Sequence, residues 1–569
     1  MKRRGFIEAI ATVTGLSLSS NSWSIPMHVE NPLHRKEPIF TYQSSIAIIG
    51  GGLGGFAAAL AALKHGESVI LTEETDWIGG QLTQQGVPPD EHPWIETHGS
   101  PKSYRQFRQA IRQFYKTYYP LTDEANAEEY LNPGNGAVSR LCHEPKVALN
   151  VLESLLAPYI SSGRLILLLN HKAIQSEHSK ELVQEIRVKN LVTQKESLIK
   201  ANYFVDATEL GDLLPLTGTE YRTGAESKME FNELHAPEKA DPLDNQAFTV
   251  CFAMDYVEGE NHTIPKPRDY EFWKNYIPQI KPAWPGRLLS ISYSNPQTLE
   301  PKTLGFNPTG IATGDVLNLW NYRRIIHKKN FSDGFFKGDI TLVNWPQNDY
   351  LLGNLIDVSK EEFDRHVDSA KQLNLSLLYW LQTEALNDKG EKGWPGIRLR
   401  KDIMGTEDGM AKYPYIRESR RIKAVFTVTE EHVGKENRKL VAGLGEDPNK
   451  AAEFEDSVGI GYYHIDLHPT QKHNYIDFPS LPFQIPLGSL IPIQKDNLIP
   501  ANKNIGTTHL SNGCYRLHPV EWGIGEAVGH LLHFALKKNE KPRKIHQEKT
   551  LLKEFQNFLI NQAVEIEWK

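Results

Sequence analysis

The segment from Ser44 to Glu73 constrains the fold more than any other. It reads SSIAIIGGGLGGFAAALAALKHGESVILTE. Ser45–Ile49 is a buried-strand run, and Gly50-x-Gly52-x-x-Gly55 follows at once. An Ala-rich helix comes next and stops at Gly66, and Glu67–Thr72 forms a second strand that leads to Glu73. Each glycine has its own task. Gly50 permits the sharp turn, Gly52 lets the backbone approach a pyrophosphate, and Gly55 lets helix and strand pack closely. The helix N-terminus attracts phosphate charge, and Glu73 is suited to accept from ribose hydroxyls. Glu73 stands 23 residues after Gly50, close to the spacing of about 20 such sites use. The segment predicts a dinucleotide site on a parallel α/β sheet.

The rest of the chain is organised around that unit. A length of 569 residues suggests two to four domains at roughly 100–200 residues each. Residues 102–119 read as an amphipathic helix with a basic face, 145–160 as a helix and 164–170 as a strand. Residues 172–207 alternate polar and apolar, as in a small antiparallel sheet. Residues 220–440 change character and are rich in Trp, Pro, Asn and Tyr, with one clear helix near 360–388. Strand-turn-helix grammar returns at 484–538. The nucleotide-binding pattern thus sits at both ends, which suggests one discontinuous domain (44–219 and 484–538) interrupted by a second (220–483). A linker is expected over 25–43 and a helical tail over 539–569.

The N-terminus reads as an address. Lys2, Arg3 and Arg4 precede a short apolar stretch, and Arg3-Arg4-Gly5-Phe6-Ile7 fits the twin-arginine export pattern. Residues 1–24 are therefore expected to be a signal peptide, and the mature protein periplasmic or secreted. That route carries folded proteins and suits a chain that binds a cofactor before export.

Composition excludes several classes. Net charge is −7, against broad nucleic-acid binding, which needs a basic surface. The three cysteines, Cys142, Cys251 and Cys514, rule out a disulfide framework and an iron–sulfur site built from this chain alone. His92, His98 and His143 lack metal-ligand spacing, so no metal is expected. Stable membrane insertion is not expected either, since no apolar run long enough to span appears after residue 30.

Further elements choose between nicotinamide and flavin. Gly79-Gly80, followed by Gln81, is unneeded for NAD, and resembles the turn by which FAD enzymes of the glutathione-reductase-like superfamily pass the ribityl–pyrophosphate. Asp206-Ala207-Thr208-Glu209-Leu210-Gly211-Asp212 resembles that superfamily's strand-ending element. The segment from Asn497 to Gly529 resembles its closing element, a strand and a loop followed by a helix expected to begin at Gly523–Gly525 with its positive end toward the flavin. Six blocks from Trp77 to Trp522, among them DATELGDLLPL, PYIRESRRI and NGCYRLHPVEW, identify the chain as resembling the FAD-dependent oxidoreductase family, in a bacterial subgroup often exported. The resemblance implies FAD as cofactor and an α/β fold: a discontinuous Rossmann-like FAD-binding domain with an inserted α+β substrate domain. It implies cofactor contacts at Gly50, Gly52, Gly55, Glu73, Gly79, Gly80, Gln81, Asp206, Gly211, Asp212, Gly523 and Gly525. Asn502 and Lys503 depart from the Ala/Gly-rich strand end related enzymes often have.

Flavin chemistry needs a group to take a proton and something to hold the substrate. HLSNGCYRLHPVEW offers His509, Arg516, His518 and Glu521. His518 is the expected proton acceptor or hydrogen-bond partner and Arg516 the anion-holding group. PYIRESRRI offers Arg417, Glu418, Arg420 and Arg421, and arginines grip a carboxylate or carbonyl oxygen bidentately. His518, Arg516, His509 and Arg420 are the expected catalytic set, with bracing of the loops as the competing reading. Asp90, Glu91 and His92, and likewise Arg140, His143 and Glu144, read as more structural. Asn344, Trp345, Gln347 and Asp349 look like sugar- or amide-contacting side chains. No second GxGxxG appears, so a dedicated NAD(P)H domain is not expected. Three activities stay open: an oxidase or dehydrogenase acting on a small organic substrate, a reductase or hydroxylase using external electrons, and a polysaccharide-binding or lyase protein with structural FAD.

Overall fold

Nine apolar or hydroxylic side chains between Phe40 and Ile49 give the first strand its pairing strength on both edges. In the computed structural model, which describes residues 39–311, 315–387 and 390–568, this strand, β1 (Phe40–Ile49), is central. It starts inside the expected linker, and its first three residues are more exposed than the Ser45–Ile49 run that the sequence pattern picks out. The export signal and the linker up to residue 38 lie outside the described residues.

A helix, α1 (Leu53–Lys64), follows the glycine turn, and β2 (Val69–Glu73) returns parallel to β1 with Ile49 opposite Thr72. After β3 (Leu165–Leu169) come β4 (His171–His178), β5 (Val183–Asn190) and β6 (Glu196–Asp206). The order is β3-β2-β1-β6-β5-β4. β1, β2, β3 and β6 are parallel, whereas β4 and β5 run antiparallel. β6 is long enough to be shared: its first half pairs with β5, and its last residues pair with the closing strand Leu498–Pro500, also in parallel. The sheet is therefore completed by residues almost 300 positions after β6 in the chain. This is the Rossmann-like α/β arrangement the glycine turn implies.

A second, antiparallel sheet lies between these parts in sequence. Its four strands run in the order Arg324–Ile326, Ile340–Val343, Phe252–Tyr256, Ile397–Leu399. The helix expected near 360–388 spans Lys360–Thr383, opened by a capping box in which Ser359 and Glu362 serve each other's backbone. The tail forms two helices, Pro542–Gln547 and Lys549–Asn561, separated by extended backbone at Glu548. Residues 40–569 pack as one compact unit. Among the described residues, no helix is long and apolar enough to cross a membrane.

Two expectations need correction. The helix Lys102–Tyr118 does not present a free basic face: Arg108 and Arg112 are buried and paired with Glu91 and Glu96. Buried guanidinium groups need such partners, and these pairs anchor the 87–98 loop. The closing helix does not begin at Gly523–Gly525. It spans His518–Lys538, with Pro519 in the first turn, where its missing N–H costs nothing. Gly525 instead lets this helix touch α1, since a Cβ there would stand 2.0 Å from the Gly54 carbonyl oxygen.

Candidate functional site

The glycine turn delivers α1 with an open N-terminus. Gly50 has φ +105°, which only glycine adopts without strain. Gly52 caps the helix with no side-chain bond, and the first turn holds no acidic residue of its own. At the end of β2, Glu73 accepts from Gly51 N at 3.0 Å and from Thr75 N at 2.8 Å. Burial pushes its carboxyl up to about 7. A cleft of about 420 Å³ of atom-free space runs past Gly50, Gly52, Glu73, Thr208, Glu209 and Asp212.

Beyond Gly52 the cradle becomes highly polar. Gly79 N donates to Gly51 O at 2.7 Å, bringing Gly80 against the turn, where its Cβ position is 2.9 Å from Gly52 Cα. Three charged side chains converge there. Lys503 Nζ is 2.6 Å from Glu209 Oε2, and Glu521 Oε1 accepts from Gly54 N at 3.2 Å. Gln81 donates from Nε2 to Glu521 and to Arg516 O. Burial raises the Glu521 carboxyl to about 7, and the Lys503 ammonium is raised as well: burial opposes this, but Glu209 and Glu521 outweigh it.

The residues present fit a flavin dinucleotide. The turn leaves no room for side chains where a pyrophosphate must approach, since a Cβ on Gly52 would lie 2.9 Å from Glu209 Oε1. Buried polar atoms around it lack partners: Gln81 Oε1, both amide atoms of Gln85, Glu209 Oε1 and His518 Nε2. Such atoms in a native interior call for a ligand or water. Gly50, Gly52, Glu73 and Asp212 line the cleft, with Gly79 and Gly80 shaping its end.

The structure gives other tasks to the remaining expected contacts. Asp206 is fully buried and accepts from Thr208 N, Thr208 Oγ1 and Leu213 N, fixing the strand-ending turn. Gly55 sits where a Cβ would lie 2.1 Å from Gly50 O, and Gly211 turns with φ +68° beneath Arg420. Gly523 and Gly525 are interior helix positions.

A second cavity, about 840 Å³ of atom-free space, adjoins the far end of the 80–90 loop. Asp90, Tyr322, Arg323, Tyr415, Tyr463 and Arg516 line it, with Asn344, Trp345, Arg417, Asp466 and His468. Of the four residues expected to be catalytic, Arg516 alone lines this chamber. It is committed to Asp466 at 2.9 Å and to Tyr415 OH at 3.2 Å, so it is no free anion holder. His518 stands one step behind. Its Nδ1 accepts from Asp90 N at 3.1 Å, which leaves the proton of the neutral ring on the unpartnered Nε2. Burial pushes its pKa down to about 3, so it stays neutral. His509 braces instead: its Nδ1 lies 2.8 Å from Glu418, which His509 and Arg421 hold, against burial, down to about 2. Arg420 likewise is bound to Asp212 at 3.0 Å and Asp357 at 2.8 Å. Both sit outside the chamber because their charges close internal networks.

Sequence reasoning missed Tyr322, Arg323, Tyr463, Asp466 and His468. A signal existed: in GYYHIDLH, Ile465 and Leu467 are buried while His464, Asp466 and His468 alternate toward the chamber, the period of a strand with one polar face. Asp466 is held well below the usual range: burial opposes this, but His468, Arg516 and His464 outweigh it. All three cysteines are buried, and burial raises each thiol.

A stretch of 63 residues is 32% identical to the FAD-dependent monooxygenase atnJ of Arthrinium sp., covering 11% of this chain and 15% of that relative. The chain thus spans well under two thirds of that protein's length. Among solved structures, the E. coli quinol fumarate reductase FrdA variant is 10% identical, with 92% of this chain and 74% of that chain covered and a TM-score of 0.32. The OxyS anhydrotetracycline hydroxylase of Streptomyces rimosus is 11% identical, with 92% and 67% covered and the same TM-score. The family described as "FAD dependent oxidoreductase" matches residues 45–559, nearly the whole described chain. With a cradle built for a flavin dinucleotide and a family match of that extent, the chain belongs to the FAD-dependent oxidoreductase family, an enzyme with FAD as its cofactor.

Proposed function

We propose that this enzyme oxidises a small organic substrate bound in the Asp90–Arg516 chamber, and that it works after export through the twin-arginine route, in the periplasm or outside the cell. The observation that carries this reading is a pair of connections. The 80–90 loop has Gly80 and Gln81 at the cradle and Asp90 in the chamber wall, and the 516–521 segment has Glu521 at the cradle and Arg516 in the wall. Each segment reaches from one cavity to the other. Bound FAD supplies a two-electron acceptor for hydride, and dioxygen, a quinone or another carrier takes the electrons onward.

The protein's own residues then bind, orient and deprotonate. A substrate that gives up hydride from carbon also loses a proton from its O–H or N–H group. His468 is placed to take that proton: Asp349 Oδ2 lies 2.6 Å from its Nδ1 and Asp466 lies 3.9 Å from its Nε2. A carboxylate behind the ring orients it and stabilises the imidazolium formed. His518, held neutral, is suited to donate a hydrogen bond from Nε2 rather than to act as base. Anaerobic mixing of the yellow protein with substrate panels tests the reading. Loss of flavin absorbance with substrate alone supports it. Loss only with an external reductant favours a reductase or hydroxylase, and polymer cleavage with no flavin response favours a lyase. Replacing Arg3 and Arg4 by lysine is expected to keep the protein in the cytoplasm, and unchanged export would remove that part of the proposal.

A further inference from the structure

The chamber wall pairs each of its guanidinium groups with a carboxylate. Arg323 meets Asp90 at 3.2 Å, Arg417 meets Asp349 at 3.0 Å, Arg516 meets Asp466 at 2.9 Å, and His464 meets Asp477 at 2.6 Å. His468, the remaining basic side chain of the wall, shares two of these carboxylates, at 2.6 Å from Asp349 and 3.9 Å from Asp466, so every guanidinium is matched and only an imidazole shares. An organic acid entering here finds no spare guanidinium and must displace a buried partner, which strands a charge. An organic cation meets the mirror-image problem.

Hydrogen-bonding capacity remains after these pairs form, and it is of both kinds. The Nε of Arg323, Arg417 and Arg516 and Nδ2 of Asn344 are buried donors without partners, and Tyr475 OH, also without one, can donate and accept. A carboxylate only accepts and an ammonium only donates, whereas a hydroxyl does both at once. The opposite requirement is also met, since Tyr322, Trp345, Tyr463 and Tyr475 present aromatic surface to the same space. Aromatic rings carry a negative face that attracts weakly positive C–H groups, such as those on the axial face of a saturated sugar ring.

We infer that the chamber accepts a neutral polyhydroxylated ring, a carbohydrate in its uncharged form, rather than an organic acid or amine. The inference rests on the reading of this chamber as the substrate site. Several hydroxyls satisfy the orphaned donors and acceptors together, and the ring's C–H face lies against the tyrosines and Trp345. The internally paired wall excludes charged analogues of the same shape.

Ligand-observed saturation-transfer NMR and calorimetry on the yellow holoprotein test this with matched probes: D-glucose, D-galactose, D-mannose and cellobiose against D-glucuronate, D-galacturonate and D-glucosamine. Neutral probes are expected to bind at least about tenfold more tightly than their charged counterparts, the ratio set by about 1.4 kcal/mol of unmatched charge. Tyr475→Phe, which keeps the ring and removes the unpartnered hydroxyl, and Asn344→Leu are expected to weaken the neutral sugars severalfold, with flavin absorbance as the check on folding. Equal or tighter binding of the charged probes, binding unaffected by either substitution, or no neutral probe bound at millimolar concentration overturns the inference. A colourless protein that still binds sugar overturns the flavin reading and leaves this one standing. A yellow protein that binds only acids or amines does the reverse.

Discussion

Lys503 Nζ lies 2.6 Å from Glu209 Oε2 in a site where the lysine side chain is wholly buried and the glutamate nearly so. The pair joins the strand-ending element after β6 to the loop after the closing strand, at the rim of the glycine cradle. Lys503→Met leaves Glu209 charged and alone, which costs on the order of 3–5 kcal/mol. A lower melting temperature and a lower ratio of flavin to protein absorbance are expected. Lys503→Met combined with Glu209→Gln should recover most of the thermal loss, and failure to recover would mean the pair is not what the lysine serves.

The two glycines near the start of the closing helix should behave in opposite ways. At Gly525 a Cβ meets the Gly54 carbonyl oxygen at 2.0 Å, a contact of backbone against side chain that nothing flexible can relieve. Gly525→Ala should force α1 and the closing helix apart, at a cost of about 3 kcal/mol or more, and release flavin. At Gly523 the nearest atom is Pro101 Cγ at 3.5 Å, an ordinary contact. Gly523→Ala should be neutral or stabilising by up to about 1 kcal/mol, because alanine restrains the unfolded chain. Thermal melts of both variants decide the matter.

Glu526 supplies a pH prediction. Its Oε2 is buried without a partner, and burial raises its carboxyl to about 7. The folded state therefore holds this proton more tightly than the unfolded chain. Stability from the group is full below the ordinary glutamate pKa and falls as pH rises toward 7. Glu526→Gln removes this loss. Its stability relative to the parent should improve by on the order of 3 kcal/mol between pH 4 and pH 8. A difference that is flat with pH would show the carboxyl ionises normally.

His509 and His518 separate bracing from chemistry. His509→Gln breaks the pair with Glu418 and should lower the melting temperature by several degrees, with little change in turnover by the protein that remains folded. His518→Phe removes the Nδ1 that receives Asp90 N and the free Nε2–H. It should reduce the rate of flavin reduction by about tenfold, the loss of one buried hydrogen-bond donor. Stopped-flow reduction beside melting curves tells the two apart.

The parts of the fold carried by short-range pattern were legible from sequence. β1, the glycine turn, α1 and Glu73 are contiguous, and periodicity with glycine placement specifies them. The start of the closing helix was not, because a Gly-x-Gly pattern marks a turn as readily as a close helix contact, and only the α1 neighbour distinguishes the two. The chamber was least legible. Asp90, Tyr322 and Arg323, Tyr463 to His468, and Arg516 come from four distant stretches. Whether an arginine is free to hold a substrate depends on which carboxylate the fold brings to it, and Arg516 meets Asp466 across 50 positions of sequence.

The shared edge of β6 has a consequence for how the enzyme is made. Its last residues wait for Leu498–Pro500, and the cradle waits for Lys503 and Glu521, so a nascent chain must be synthesised through Glu521 before the whole cradle can form. A chain stopped before Glu521 keeps the whole glycine turn but lacks the carboxylate that meets Gly54 N, and is expected to be colourless.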